Sequence, residues 1–438
     1  MATLLLIVLV LLALAFVAGA VRDPARLYQY PFTAAAVFLG FIAPPLFGLL
    51  HTSYLPRWGL ERYTLMCILC LAACWLGDLC AQWYNRPRAA AVLYDSRRWL
   101  LGSALLVLIG GLTYLQSRVL FRAEFDMSTG LPTALSFFIS LLRYGFVMAL
   151  IHFLYTGNRY SLCLSCLAGA YYLDRVVLFG RRLDAIEFIF VIAGAVWFAW
   201  KKRPPRLLVL LAVVVATLCV ASTGAYRAVV VSTTGERDWS RLKEVNVVEE
   251  FRKATAEGSS ETLSGIYLMA ASATCKAFDF GLYHWNGLVS DYVPAQVFGA
   301  ERKESLYAPV VNLIDVAQRE YGFAPSTGTT LTGMVDCHGS FWYLGCLEFV
   351  LIGYVMQWLY LRAAAGSMMA QAVYVYMMTH ALHAITHSTT WFVRPWVHML
   401  FLWVPVMLYA TAAQLEPSPN SQTDAPEDQG RLMLPECR

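Results

Sequence analysis

The chain has 438 residues, of which 58% are hydrophobic and 14% are charged. Its mean hydropathy is +0.54, and the apolar residues lie in long uncharged runs. This pattern excludes a soluble globular protein and indicates a polytopic membrane protein. The formal net charge is only +4, and we expect membrane lipid but no nucleic acid among the partners.

Apolar runs long enough to span a bilayer recur along the chain and predict an all-α fold with about eleven transmembrane helices. The first run has no basic residue before its core, whereas Arg22 and Arg26 follow it, so we interpret it as a membrane helix, not a cleaved signal peptide. The predicted spans are Ala2–Ala20, Pro31–Leu50, Tyr63–Cys80, Trp99–Leu115, Pro132–Leu154, Tyr160–Phe179, Leu183–Trp200, Leu207–Ala225, Phe341–Leu361, Gln371–Thr389 and Pro395–Ala413.

Orientation follows from the short loops, because Lys and Arg favour the cytoplasmic side. The strongest basic cluster, at residues 201–206, places the N-terminus outside. The predicted organisation is a transmembrane bundle of about eight helices at 1–225, an extracytoplasmic cap at 226–339 and three transmembrane helices at 340–415. A disordered cytoplasmic tail at 416–438 completes it.

The cap is too long to be a simple connection, so it must carry its own structure. Val245–Ala256 and Glu261–Lys276 are predicted to be amphipathic helices that lie on the membrane surface or cover the bundle. Turns are predicted at Thr234–Asp238 and Glu257–Ser260.

Ser326–Gly345 is the most informative stretch, because it is rich in hydroxyl and glycine residues and leads directly into an apolar run. Asp336 and His338 are predicted to lie where this polar loop enters a membrane helix. A carboxylate or an imidazole there can accept a proton from a sugar hydroxyl. We therefore predict a site for a lipid-linked polar substrate.

Ionisable residues inside predicted spans are costly and usually face a polar cavity. Arg143 and Glu348 lie well inside their spans, and for Arg143 we favour a functional role. Asp174 and Arg175 lie near the outer end of theirs, where an interfacial ion pair is an alternative.

Three histidines, His380, His383 and His387, share one helical stripe. They can relay protons, contact substrate or hydrogen-bond neighbouring helices, whereas metal ligation would require further ligands. Most cysteines lie in apolar runs and are predicted to pack. Only Cys275 and Cys337 belong to the cap, where a disulfide would be permitted.

Arginines at the outer boundary suit a pyrophosphate-linked substrate, because a guanidinium forks onto phosphate oxygens. Arg175, Arg302 and Arg394 are expected at that depth, together with Asp336 and His338.

The late part of the chain resembles a known protein family. A large late external segment containing Tyr321–Gly328 and Leu331–Gly345, followed by an apolar helix with Gly353, is similar to the oligosaccharide repeat-unit polymerases. These are O-antigen polymerases of the Wzy type, which are also used for exopolysaccharides. The segment Asp336-Cys-His338 departs from the more acidic and aromatic sequence expected there.

The resemblance implies a GT-C-like, metal-independent glycosyltransferase of the bacterial inner membrane that needs no cofactor. It would transfer glycan from an undecaprenyl-pyrophosphate-linked donor to a second lipid-linked glycan, with inversion. Its partners would be the lipid-linked oligosaccharide, a chain-length regulator and a flippase. Asp336 or His338 would accept the proton, while Arg143, Arg175, Arg302, His387 and Arg394 would bind substrate. An O-antigen ligase and a lipid-linked oligosaccharide flippase or transporter remain alternatives.

Overall fold

The described part of this computed structural model is almost entirely helical. It covers residues 1–52, 54–84, 94–120, 131–201, 239–249, 260–276, 278–325 and 331–411, with residues 226, 229, 230 and 252. The predicted span Leu207–Ala225, the turn Thr234–Asp238, most of 250–259 and the tail at 416–438 lie outside these residues.

The α-helices are numbered here in chain order. They are α1 Ala2–Arg22, α2 Tyr30–Val37, α3 Ala43–Leu49, α4 Arg57–Tyr84, α5 Ser96–Leu120, α6 Leu131–Thr156, α7 Arg159–Leu173, α8 Arg182–Trp200, α9 Ser260–Cys275, α10 Leu282–Tyr292, α11 Ala295–Phe298, α12 Ala300–Ser305, α13 Leu313–Tyr321, α14 Gly333–Phe341, α15 Leu347–Ala364, α16 Met368–Thr386, α17 Thr390–His398 and α18 Val404–Tyr409. Short π-helical turns connect α2 to α3 and α17 to α18, and one extends α7 to Leu178.

Nine helical segments in the described residues are long and apolar enough to cross a membrane, a property expected of a polytopic membrane protein. They correspond to nine of the eleven predicted spans. Of the other two, Leu207–Ala225 lies outside the described residues. Gln371–Thr389 corresponds to α16, which forms a helix but is not among the nine.

Helix α16 is the centre of the bundle, and this explains its composition. Every residue from Ala370 to Ile385 is buried, and the helix packs on α2, α6, α8, α15 and α17. Because protein surrounds it, polar side chains such as Gln371 and His380 are tolerated that a lipid-facing helix would exclude.

The predicted loop before Phe341 is instead a buried helix. α14 begins at Gly333 and ends at Phe341, and Trp342 then takes a left-handed φ of 56° that breaks the chain direction before α15. A Cβ on Gly333 would lie 1.7 Å from the Ala384 carbonyl oxygen. Only glycine therefore permits this close approach of α14 to α16, and tertiary packing outweighs the weak helix propensity of the segment.

Helix α9 confirms a predicted helix at Glu261–Lys276, but its surroundings are more buried than a surface helix would have. It packs on α4, α13 and α14, and residues from Ser264 to Ser272 are buried on all sides. Helix α9 thus packs against the bundle as a buried element next to α14.

Candidate functional site

Asp336 anchors the connection between α16 and α17. Its Oδ2 atom accepts hydrogen bonds from the Ser388 hydroxyl at 2.7 Å, the Thr389 amide at 2.8 Å and the Thr389 hydroxyl at 3.1 Å. The carboxylate thus caps the N-terminus of α17, where negative charge is favourable. With its oxygen so occupied, Asp336 fixes the position of Thr389.

His284, on α10, joins Asp336 to a second carboxylate. Its Nε2 atom lies 2.6 Å from the Thr389 hydroxyl and 3.2 Å from Oε2 of Glu348, in the first turn of α15. The Thr389 hydroxyl donates to Asp336, so it must accept from His284, and both neighbours of Nε2 are then acceptors. This geometry assigns the proton to Nε2.

Charge complementarity favours the protonated imidazole. Burial alone would lower the pKa of His284, but the hydrogen bond to Glu348 and its negative charge outweigh burial, so the pKa is raised above its ordinary value. The raised pKa favours the cationic form of His284 beside Glu348.

A cavity of about 230 Å³ lies beside this cluster. His284, Glu348 and Thr389 supply its polar wall, and the remaining wall is apolar or glycine, including Leu351 and Phe392. Glu348 Oε1 is buried and has no hydrogen-bond partner within the described residues. Three converging polar groups in an apolar cavity are typical of a small-molecule or headgroup site.

Arg394 lies next to this cluster on α17. Its Nε atom is 2.6 Å from Oδ2 of Asp291 on α10, and its guanidinium lies 5.4 Å from the ring centroid of Trp391. Tyr292 donates a hydrogen bond to the Arg394 carbonyl oxygen. Burial raises the pKa of Asp291, and the charge of Arg394 opposes that effect only in part.

His338 does not belong to the same cluster as Asp336. The two residues are two positions apart on α14, which corresponds to a rotation of about 200° around the helix axis. Their side chains therefore lie on nearly opposite sides of the helix. His338 is fully buried, and its Nδ1 atom lies 3.0 Å from the Ser272 hydroxyl on α9. The structure therefore places the two predicted proton acceptors in different environments.

Arg143 and Arg175 form a separate ion-pair network among α5 to α8. Arg143 Nη2 lies 2.7 Å from Asp184 Oδ1 and Nη1 lies 3.1 Å from Glu187 Oε2, while Arg175 Nε lies 3.1 Å from Asp184 Oδ2. Tyr172 donates to Glu187 at 2.5 Å. Asp184 and Glu187 are both fully buried. These arginines are thus neutralised by protein carboxylates.

The network continues to the predicted interfacial residue Asp174. Arg118 Nη2 lies 3.7 Å from Asp174 Oδ1, and Tyr114 donates a hydrogen bond to the same carboxylate. Asp174 therefore pairs with Arg118, and Arg175 turns towards Asp184. Among the described residues, the ion pairs of this network join Arg118, Arg143 and Arg175 to Asp174, Asp184 and Glu187.

The two remaining predicted residues differ in position. Arg302 is exposed on α12. His387 follows α16, where its ring centroid lies 4.8 Å from that of His383 and 6.0 Å from that of Trp391. His387 is partly buried in the connection between α16 and α17, whereas Arg302 is on the surface.

Within the described residues, the histidines of the stripe differ, because neither ring nitrogen of the buried His380 has a hydrogen-bond partner. His383 Nδ1 lies 2.8 Å from the Thr379 carbonyl oxygen, Cys275 and Cys337 are free thiols, and no group of three candidate ligands is arranged to hold a metal ion.

His284 and Thr389 are the functional candidates to which sequence reasoning gave no role. His284 stands in a hydrophilic segment, far from Glu348 in the sequence, and no spacing links the two. Thr389 only ends the predicted span Gln371–Thr389, in the sequence Ser388-Thr389-Thr390.

Comparison with protein-family models, curated proteins and solved structures gives no match. The helical fold and the nine membrane-length segments of the described residues define the class as a polytopic membrane protein.

Proposed function

We propose that this chain is a polysaccharide repeat-unit polymerase, a membrane glycosyltransferase that extends a lipid-linked glycan. The observation that supports the proposal best is Glu348, which is held by His284 at the wall of a cavity of about 230 Å³ and has one oxygen without a hydrogen-bond partner among the described residues. The cavity is smaller than the range of about 300–1,000 Å³ typical of ligand pockets, so it suits a sugar unit or headgroup.

In the proposed reaction, Glu348 is the proton acceptor. The hydroxyl of the acceptor glycan gives its proton to Glu348, and the hydroxyl oxygen attacks the anomeric carbon of the donor. The bond from that carbon to the pyrophosphate oxygen breaks, and its electron pair leaves with the lipid pyrophosphate. A single displacement inverts the anomeric centre.

Asp336 has a positioning role in this proposal. Its Oδ2 atom already accepts three hydrogen bonds, so this oxygen is occupied by protein donors. It orients Thr389, which in turn orients His284. The role of proton acceptor thus passes from Asp336 and His338 to Glu348.

Arg394 is the arginine best placed to stabilise the leaving pyrophosphate. It belongs to the helix that carries Phe392 and Val393, which line the cavity, and one carboxylate opposes its charge. Arg143 and Arg175 each have carboxylate partners in the separate network and are weaker candidates.

The substrate and cellular setting follow from the resemblance. The donor would be an undecaprenyl-pyrophosphate-linked oligosaccharide at the outer face of a bacterial inner membrane. A chain-length regulator and a flippase would act beside the polymerase, and no cofactor would be required.

The test is elongation by purified protein in nanodiscs supplied with a lipid-linked repeat unit. A ladder of longer glycans with release of lipid pyrophosphate is the expected result. Nanodiscs enclose no compartment, so a flippase would leave the substrate unchanged. Transfer only to an added lipid acceptor, with no ladder, would indicate a ligase. Either of these two results would overturn the proposal.

A further inference from the structure

The cavity beside Glu348 has one wall that faces away from the protein. Among its lining residues, Leu351 on α15 is 62% exposed and Val393 on α17 is 40% exposed, whereas Ile352 and Phe392 are only 3% and 5% exposed. Buried side chains thus form the floor, and exposed apolar side chains form the rim between α15 and α17.

We expect this rim to lie at the depth of the lipid hydrocarbon. The last turn of α15 carries Arg362, whose guanidinium lies 4.3 Å from the ring centroid of Trp358, a pair typical of a membrane interface. Leu351 precedes Arg362 by 11 residues, ~16 Å along a helix axis. Since the hydrocarbon layer is about 30 Å thick, a residue at this distance from one interface is expected near the middle of the layer, where it would contact acyl chains.

The polar groups of the cavity lie deeper in the protein than the apolar rim of the same opening. Glu348 is one turn from Leu351 towards the start of α15, and the side chains of His284 and Glu348 are only 19% and 23% exposed. A molecule that enters between α15 and α17 therefore meets apolar side chains first and the charged cluster last. This order matches a long hydrocarbon chain that ends in a polar head.

We propose that the opening between α15 and α17 is a lateral entry site for a polyisoprenyl-linked substrate. The hydrocarbon chain contacts Leu351 and Val393, and the head lies beside His284, Glu348 and Thr389. The choice of an isoprenoid over an ordinary phospholipid chain rests on the proposed function. The inference adds the path by which the lipid-linked substrate reaches the cluster around Glu348.

The test uses a diazirine-bearing polyisoprenyl phosphate in nanodiscs, with labelled peptides identified by mass spectrometry. A diazirine-bearing phosphatidylglycerol provides the comparison. Leu351→Trp narrows the opening, and Leu400→Trp is the matched control, because Leu400 is 60% exposed but does not line the cavity.

The expected result is isoprenoid labelling concentrated in the rim peptides, reduced about tenfold by Leu351→Trp and unchanged by Leu400→Trp. Equal labelling of the rim by the phospholipid probe, or no effect of Leu351→Trp, would overturn the inference. Variants are compared only where size-exclusion and thermal profiles match those of the unmodified protein.

The two proposals fail separately. Rim labelling without glycan elongation would retain the lipid site and reject the polymerase. Elongation that Leu351→Trp leaves at its normal rate, together with labelling spread over all lipid-facing helices, would retain the polymerase and reject the entry site.

Discussion

The ion-pair network of α5 to α8 and the cluster around Glu348 contain the same kinds of side chain but use them differently. In the network, Arg143 bridges Asp184 and Glu187, and its guanidinium also lies 3.0 Å from the Tyr171 hydroxyl. In the cluster, Asp336 is occupied by hydrogen bonds, whereas Glu348 lines a cavity and its buried Oε1 atom has no hydrogen-bond partner within the described residues.

Under the proposed function, the difference distinguishes charged side chains that hold helices together from a charged side chain that acts on substrate. Buried charges that satisfy one another hold helices in one arrangement but offer nothing to a substrate. A buried carboxylate next to empty space has a free acceptor, and such a group can take a proton. Both regions contain buried charges. They differ in whether a carboxylate lines a cavity and in whether its oxygens all have hydrogen-bond or ion-pair partners.

Removal of Arg143 should have the largest effect on stability. Arg143→Ala leaves Asp184 and Glu187 without their shared partner, and breaking a buried pair costs about 3–5 kcal/mol in the free energy of unfolding. Denaturant unfolding in detergent measures this loss. The matched variant Arg118→Ala removes a longer, partly exposed pair and should cost about 1 kcal/mol or less. Equal losses for the two variants would contradict the distinction between them.

The backbone contact that fixes α14 should tolerate little added volume. Gly333→Ala places a Cβ against the Ala384 carbonyl and should destabilise by at least about 1–3 kcal/mol. Gly339→Ala is the control in the same helix, because its Cβ would meet Leu313 at an ordinary 3.6 Å. Thermal unfolding of the two variants should therefore separate them, and similar melting temperatures would show that α14 does not approach α16 so closely.

The pair of His284 and Glu348 should make stability depend on pH. The raised pKa of His284 means that the folded protein binds the proton more tightly than the unfolded chain. The pair's contribution is complete below the ordinary pKa of about 6.5 and is lost as pH rises through the raised value. Unfolding curves across this interval should show the decline, and Glu348→Gln should flatten it. An unchanged pH profile in that variant would count against the pairing.

Sequence patterns predicted the helices well where the side chains face lipid, because contact with lipid restricts those side chains to apolar types. Apolar runs identified nine segments because side chains that face hydrocarbon must be apolar. α16 also appeared as a run, although its buried position admits Gln371, His380 and His383. The same rule failed for α14, because a helix enclosed by protein can be polar and rich in glycine.

The site was only partly predictable for a related reason. Asp336 was visible as an acidic residue just before an apolar run, and Glu348 as an acidic residue inside that run. Their partner His284 reaches them only through the folding of α10 against α14 and α17, and no local spacing encodes that contact. The opposite orientation of Asp336 and His338, in contrast, follows from their spacing once the segment is known to be helical.

The most direct test of the account compares elongation rates of two purified variants in nanodiscs, Glu348→Gln and Asp174→Asn. Each removes one partly buried carboxylate charge, but only Glu348 lines the cavity. Loss of general-base catalysis should lower the Glu348→Gln rate about 10²–10⁴-fold, while Asp174→Asn retains the normal rate. Normal elongation by folded Glu348→Gln would contradict the assignment of the chemistry to this cavity.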